Sequence, residues 1–383
     1  MQKLTLILVT LLALLVPPTM ADDNRVDEAR RLVQQLGSSS FAARRKATDR
    51  LAELGADAIA PLAEGARSRN RELRYRSQRL LASLHVLEFE RQLQAFAKTG
   101  KAGDSLPGWD KFRTLYGSEG DARQLFASMQ RAEPDLMRAM EGPLARIALL
   151  INRRVEGFQQ SRRFQGSDVR LGTIAAILFA GADQEVKLPE TSIKLIYGLC
   201  GYAAFGNEMG RRTSSGQYFI THDARSDVLR GLFARWMQRT DGWVAYQGFR
   251  LALNYDIRAA SATALQAIQA KGASPYVRQY ALQLLSRFGE KKDIPVITTL
   301  LQDQTFCGGI QRVNNKQFRT QIRDIALACL LSIEKLDHRK FGFPRADVTN
   351  GVVNLSSIGF ADDASRQKAY DLWVAHTKKQ SAP

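Results

Sequence analysis

An arginine followed three residues later by Ala or Ser, and seven residues later by a large apolar residue, recurs six times along this chain. The instances are Arg44/Ala47/Leu51, Arg74/Ser77/Leu81, Arg258/Ser261/Leu265, Arg278/Ala281/Leu285, Arg323/Ala326/Leu330 and Arg366/Ala369/Trp373. Offsets of 0, 3 and 7 fall on one face of an α-helix, so the small residue admits a neighbouring helix while the large one fills the contact. Ser40, Asn70, Asp256, Ser274, Thr320 and Asp362 stand two to four residues ahead of each arginine, where an N-cap would satisfy free backbone donors. The pattern therefore predicts helix starts as well as buried faces. It also sets a problem, because a cation in the first helical turn opposes the macrodipole at a cost of about 0.3–1 kcal/mol. The sequence predicts that these six arginines reach carbonyls or carboxylates of a preceding repeat; the alternative is that they extend into solvent.

The spacing is that of irregular helical hairpins: 30 residues from Arg44 to Arg74, 20 from Arg258 to Arg278, then 45 to Arg323 and 43 to Arg366. Ser274-Pro275 opens a helix that Gly289 closes, and Asp293-Ile294-Pro295 starts the next with Leu300-Leu301 behind it. The same grammar runs from Ser40 through Gly55 to Pro61-Leu62. In residues 100–255 the repeat is lost, yet Leu125, Phe126 and Met129, then Ile147, Ile151, Val155 and Phe158, keep helical spacing. Tracts 100–108, 164–168 and 206–217 read as polar, glycine-bearing loops. Asn314-Asn315 between Phe306–Val313 and Lys316–Arg319 predicts one short β-hairpin at about 305–319, and 339–361 reads as a long Gly/Asn/Ser-rich connection that packs or binds.

Ala43-Arg44…Ala47…Leu51…Leu54-Gly55 and Val277-Arg278…Ala281-Leu282…Leu285…Gly289…Pro295…Leu300-Leu301 resemble HEAT-like repeats, the short type also found in bilin lyases. The likeness covers residues 27–85 and 256–302 and extends more loosely over 320–336 and 362–377. Gln321–Ala328 with Phe341-Gly342-Phe343, and Leu106-Pro107-Gly108-Trp109 with Gln130-Arg131-Ala132-Glu133, resemble segments of uncharacterised exported bacterial HEAT-repeat proteins. The resemblance implies an all-α, HEAT/armadillo-like helical solenoid, right-handed, and brings no catalytic residues to this chain. The expected division is a leader at 1–21, N-terminal repeats at 22–99, an irregular helical middle at 100–255 and C-terminal repeats at 256–383.

The leader is read as a secretory signal peptide. Lys3 gives a positive start, Leu4 to Val16 is a 13-residue core softened only by threonines, Pro17-Pro18 ends it, and Thr19-x-Ala21 offers small residues for cleavage. A bilayer span needs about 20 residues, so an anchor is disfavoured, and no transmembrane segment is expected after the leader. The mature chain is expected to be exported to the periplasm, envelope or medium. Cys200, Cys307 and Cys329 are too few for a disulfide framework and are read as unpaired, mostly buried thiols, the alternative being that an oxidising compartment joins two of them.

Catalytic patterns are weak. His85, His222, His338 and His376 never fall at i, i+4, so metal ligation by a helix has no support, and no metal or cofactor is expected. His222-Asp223 lies near Ser214 and Ser215 without a nucleophile elbow, and Asp223 reads better as an N-cap. Gly198, Gly201, Gly206 and Gly210 lack the ending of a phosphate loop and read as helix-packing glycines.

Charge is the stronger lead: 55 Lys+Arg against 38 Asp+Glu gives +17, with clusters at Arg44-Arg45-Lys46, Arg153-Arg154, Arg162-Arg163, Arg211-Arg212, Lys291-Lys292 and Arg339-Lys340. Of these, Arg153, Arg154, Arg162, Arg163, Arg211 and Arg212 are the candidate basic surface. A field of this sign favours polyanions, and in an exported protein those are acidic polysaccharides, wall polymers, anionic lipids or acidic proteins rather than nucleic acid. The favoured expectation is a non-catalytic scaffold for a protein or peptide partner; the alternatives are a polyanion-binding envelope protein and an enzyme of unrecognised type.

Overall fold

The computed structural model describes residues 20–101, 106–160, 169–212, 218–239 and 242–380. These are mostly helical. Most of the expected leader, residues 1–19, lies outside the described residues, among which no helix is long and apolar enough to cross a membrane. The chain divides into two units, Met1–Ala95 and Phe96–Pro383.

The first unit holds α1 (Met20–Gln35), α2 (Phe41–Leu54), α3 (Ile59–Gly65) and most of α4 (Arg71–Thr99). The Ser40 hydroxyl accepts from the Ala43 N–H, and the Asn70 side-chain Oδ1 accepts from the Glu72 and Leu73 N–H groups, so both helices begin where the caps predict. Ala47 and Leu51 of α2 are fully buried with Val33, Leu36, Leu62 and Leu73. Ser77, the small residue three beyond Arg74, faces Gly65 of α3. A Cβ added at Gly65 would lie 2.5 Å from the Ser77 hydroxyl oxygen, so bulk at either position would push the helices apart.

The second unit begins with α5 (Trp109–Tyr116), α6 (Gly120–Ala132), α7 (Pro134–Arg138), α8 (Leu144–Gln160) and α9 (Leu171–Gly181). It continues through α10 (Glu190–Cys200), α11 (Ala203–Met209), the strand pair β1 (Gly210–Arg212) and β2 (Tyr218–Ile220), and α12 (Ala224–Gln238). Leu-Gly-Thr-Ile-Ala-Ala-Ile-Leu-Phe-Ala-Gly has no polar face, and every residue of α9 from Gly172 to Gly181 is buried. α6, α8, α10 and α12 pack around it. Gly172 is required by that packing, since a Cβ there would stand 2.2 Å from the Ser128 carbonyl oxygen of α6. Phe179 of α9 meets Phe112 edge to face at 5.3 Å, within an aromatic cluster with Trp109 and Phe126. Two segments singled out by resemblance also meet: the buried Gln130 amide donates to the Pro107 carbonyl at 2.8 Å.

The rest comprises α13 (Ala245–Asn254), α14 (Ala260–Gln269), α15 (Pro275–Phe288), α16 (Ile294–Thr298), the hairpin β3 (Phe306–Val313) and β4 (Lys316–Gln321), α17 (Ile322–Ile333), the short pair β5 (Val348–Thr349) and β6 (Val352–Val353), and α18 (Asp363–Gln380). Successive helices pack in chain order, α13 and α14 on α15, α15 on α17 and α17 on α18. Asn314 and Asn315 both take left-handed φ, 49° and 60°, the conformation a two-residue hairpin turn needs.

Several expectations need correcting. Three two-stranded antiparallel sheets are present among the described residues where one hairpin was expected. β1 and β2 arise within and just beyond the tract read as a loop at 206–217, and β5 and β6 within the connection at 339–361. That connection packs onto α15: the Gln283 amide donates to Val353 O and the Ser286 hydroxyl to Gly351 O. The helix expected from Asp293 is only five residues flanked by 3-10 turns, Lys291–Asp293 and Thr299–Gln302. Asp256 has φ of 57° and does not cap α14, whose buried face is Ala260, Thr263, Ala264 and Ile268 rather than Ser261 and Leu265. Thr320 does not cap α17; Gln321 and Asp324 form the capping box, and the Thr320 hydroxyl donates to Ile358 O instead. Gly198 has open space around its Cα, so helix packing does not account for it.

Candidate functional site

The six arginines are held in different ways. Arg44 Nη1 donates to Ser38 O and Ser39 O, both at 2.8 Å, and Arg74 Nη1 donates to Ser68 O at 2.7 Å. Each thus clasps the turn that enters its own helix, and those carbonyls supply the negative potential that offsets the helix dipole. Arg44 Nε also lies 3.9 Å from Glu72 at the start of α4. Arg278 Nη1 donates to Asp303 at 2.7 Å, and Arg323 Nε donates to the Gln321 side chain at 2.6 Å. Arg258 precedes α14, and its guanidinium lies 5.9 Å from the Phe288 ring. Arg366 of α18 is the most enclosed: Nε donates to Asp324 in the first turn of α17 at 2.8 Å, Nη2 to Arg319 O, and Nη1 to Asp363.

These pairs set the local electrostatics. Burial works to raise the Asp303 carboxyl, but hydrogen bonds from Thr305 and the Arg278 guanidinium outweigh it and hold the carboxyl below its ordinary value. Burial pushes the Asp324 carboxyl up, against the Gln321 N–H and Arg366 that draw it down. Two further arginines escaped the sequence reading. Arg230, buried in α12, donates to Tyr255 O, Ser226 Oγ, Asp227, Thr221 O and Met209 O, tying the ends of α11, β2 and α13 to one side chain. Arg287 Nη2 donates to Asp256 at 2.5 Å. Arg230 has local partners in Ser226 and Asp227, but its Tyr255 and Met209 acceptors lie 25 and 21 residues away, and those of Arg287 lie 34 and 31 residues away, beyond any local pattern.

Of the candidate basic surface, Arg153 is exposed, and Arg154 pairs with Glu133 at 2.7 Å while lying over the Phe158 ring. Arg211 and Arg212 form β1 opposite Phe219 and Tyr218. Arg162 and Arg163 lie outside the described residues.

Of the groups weighed for catalysis, Ser214 and Ser215 lie outside the described residues. Asp223 forms a capping box with Ser226, and His222 Nε2 stands 3.9 Å from an Asp256 already engaged by Arg287. Cys200, Cys307 and Cys329 are free, buried thiols. Burial raises all three, Cys307 to about 12, so none is a thiolate at neutral pH. Among the described residues no group of three or more His, Cys, Asp or Glu could hold a metal ion.

The most distinctive surface is aromatic. Trp243 just ahead of α13 stacks on Tyr246 of α13 at 5.9 Å and 23°, and Tyr246 contacts Tyr280 at 5.6 Å and Tyr276 at 6.3 Å, both on α15. Trp243 and Tyr276 remain 44% and 57% exposed although large aromatic side chains gain from burial. Cations flank the cluster: Lys194 Nζ lies 5.5 Å from the Trp243 ring and the Arg250 guanidinium 6.0 Å from that of Tyr280. Beside it opens a groove of 530 Å³ whose walls include Trp243, Phe249, Thr263, Lys271 and Val277. Thr263 Oγ1 is buried there without a hydrogen-bond partner. The i, i+3 pair Trp243/Tyr246 and the i, i+4 pair Tyr276/Tyr280 are visible in the sequence, but only the packing of α13 on α15 joins them. No family model, curated protein or solved structure matches this chain.

Proposed function

We propose that this protein is a non-catalytic interaction scaffold of HEAT-like helical pairs, exported after removal of residues 1–21, and that the aromatic surface of α13 and α15 receives an acidic segment of a partner protein. The carrying observation is the exposed cluster of Trp243, Tyr246, Tyr276 and Tyr280 beside an open groove. Aromatic anchors surrounded by polar groups are what protein interfaces use for most of their binding energy. Lys194, Arg250 and Lys271 at its borders, on a chain of +17, favour an acidic partner. The chain-order packing of α13 to α18 supports the repeat reading.

The same rings and cations favour an acidic polysaccharide as the second reading. Titration of the mature chain with a poly-glutamate peptide and, separately, with polygalacturonate, followed by tryptophan emission, compares the two. The scaffold reading expects saturable quenching by the peptide that disappears in Trp243→Phe and weakens at least tenfold in Tyr276→Ser. Quenching by the polysaccharide alone selects the second reading, and unchanged affinity in Tyr276→Ser for both overturns the surface. Export is tested by mass spectrometry of the envelope or secreted fraction: a mature terminus at Asp22 is expected, and an intact Met1 in the membrane pellet refutes it.

A further inference from the structure

A second cavity, of 310 Å³, lies between α6, α9, α11 and α12. Its floor is apolar, with Leu125, Leu171 and Gly172, and its rim carries Arg131 from α6, Arg170 from the position preceding α9 and Arg225 from the first turn of α12. Among the described residues one carboxylate shares the rim: Glu208 at the end of α11, 3.6 Å from Arg225. The described lining thus carries three guanidiniums and one carboxylate.

The cavity is built rather than incidental. The contact between Gly172 and the Ser128 carbonyl holds α9 tightly against α6, because nothing larger than hydrogen fits there. Arg225 is oriented from two sides, by Glu208 and by a 3.0 Å hydrogen bond from Nη2 to Gln124 Oε1. Planar guanidinium forks meet carboxylate and phosphoryl oxygens two at a time, which selects oxyanions over halide ions. The start of the 11-residue α9 at the wall adds favourable potential to that of the arginines. The volume stands at the small end of ligand pockets, too small for a polymer strand and sufficient for a compact acid.

We propose that this arginine-rimmed cavity binds a small oxyanion carrying one or two carboxylate or phosphoryl groups. The site is separate from the aromatic surface and does not depend on it.

Calorimetric titration of the mature chain at constant ionic strength, with inorganic phosphate and separately with malonate, tests the assignment and distinguishes the two chemistries. Saturable one-site binding of at least one probe is expected, weakened tenfold or more by Arg170→Gln and by Arg225→Gln. Arg153→Gln and Tyr276→Ser should leave it within twofold of the parent. Arg170 is exposed, so its replacement keeps the test decisive even if Arg225→Gln fails to fold. Absence of saturable binding of both probes, an unchanged affinity in Arg170→Gln, or an equal loss in Arg153→Gln would overturn the proposal.

Discussion

Arg366 places a cation in the first turn of α18, where the helix dipole opposes it, yet only 8% of its side chain is exposed. It is held because Asp324, itself 1% exposed, presents a carboxylate from the first turn of α17, where the same dipole is favourable. Removing one partner strands the other, so Arg366→Ala should cost about 3–5 kcal/mol. Arg258→Lys should change stability by no more than about 0.5 kcal/mol, because that guanidinium precedes its helix and makes a ring contact that an ammonium can also make. Urea unfolding of the two variants checks the contrast, and equal effects would contradict it. Ser77 offers a test in the other direction. Its hydroxyl is buried without a partner, so Ser77→Ala should stabilise by about 1 kcal/mol and raise Tm.

At the scale of helices, small residues decide which surfaces meet. Ala281 of α15, Ala326 of α17 and Ala369 of α18 are all fully buried, and a Cβ at Gly342 would come within 2.9 Å of Ala369 Cβ. Ala281→Glu should therefore destabilise by several kcal/mol, about the 3–5 kcal/mol of an unpaired buried charge. Gly172→Ala should cost about 3 kcal/mol or more, since its Cβ would meet main chain rather than a movable side chain. Loss of Tm in both variants, with Gly198→Ala unaffected where space is open, is the expected calorimetric result. The same contacts show what was legible along the chain. The 0/3/7 spacing located two buried residues at four of its six occurrences and, at Arg74, a buried Ser77 with a half-buried Leu81; it failed at Arg258, where Asp256 turns left-handed and α14 starts later.

Acid sensitivity belongs to the whole molecule. His338 is buried with Nε2 against Ala328 O at 2.8 Å and Ser332 Oγ at 3.1 Å, and burial lowers its pKa below the ordinary 6.5 despite the nearby Asp337. A histidine whose folded pKa is depressed lets the unfolded chain take up the proton first, so its stability contribution is complete above about pH 6.5 and declines as pH falls below it. Asp303 has the same sign at lower pH: its depressed pKa contributes stability above the ordinary 3.8, lost as pH falls through the folded value. Asp324, raised by burial, runs opposite, gaining stability as its carboxyl takes up a proton. Tm should therefore drop between pH 7.5 and 5.5, and His338→Gln should flatten that interval while leaving the fall below pH 4. An identical profile in the variant would exclude His338.

Helix starts, buried faces, the Asn314-Asn315 turn and the buried thiols could be read from the chain because each depends on neighbours within a turn or two. Period, capping and left-handed φ are local properties. Arg230 with its far acceptors, the aromatic surface and the arginine-rimmed cavity depend instead on side chains tens of residues apart. Trp243 and Tyr280 become neighbours only when α13 packs on α15, and Arg131, Arg170 and Arg225 share a rim only because α9 lies against α6. No local pattern encodes those distances, since they are set by how apolar faces and glycine contacts choose their partners when the core closes.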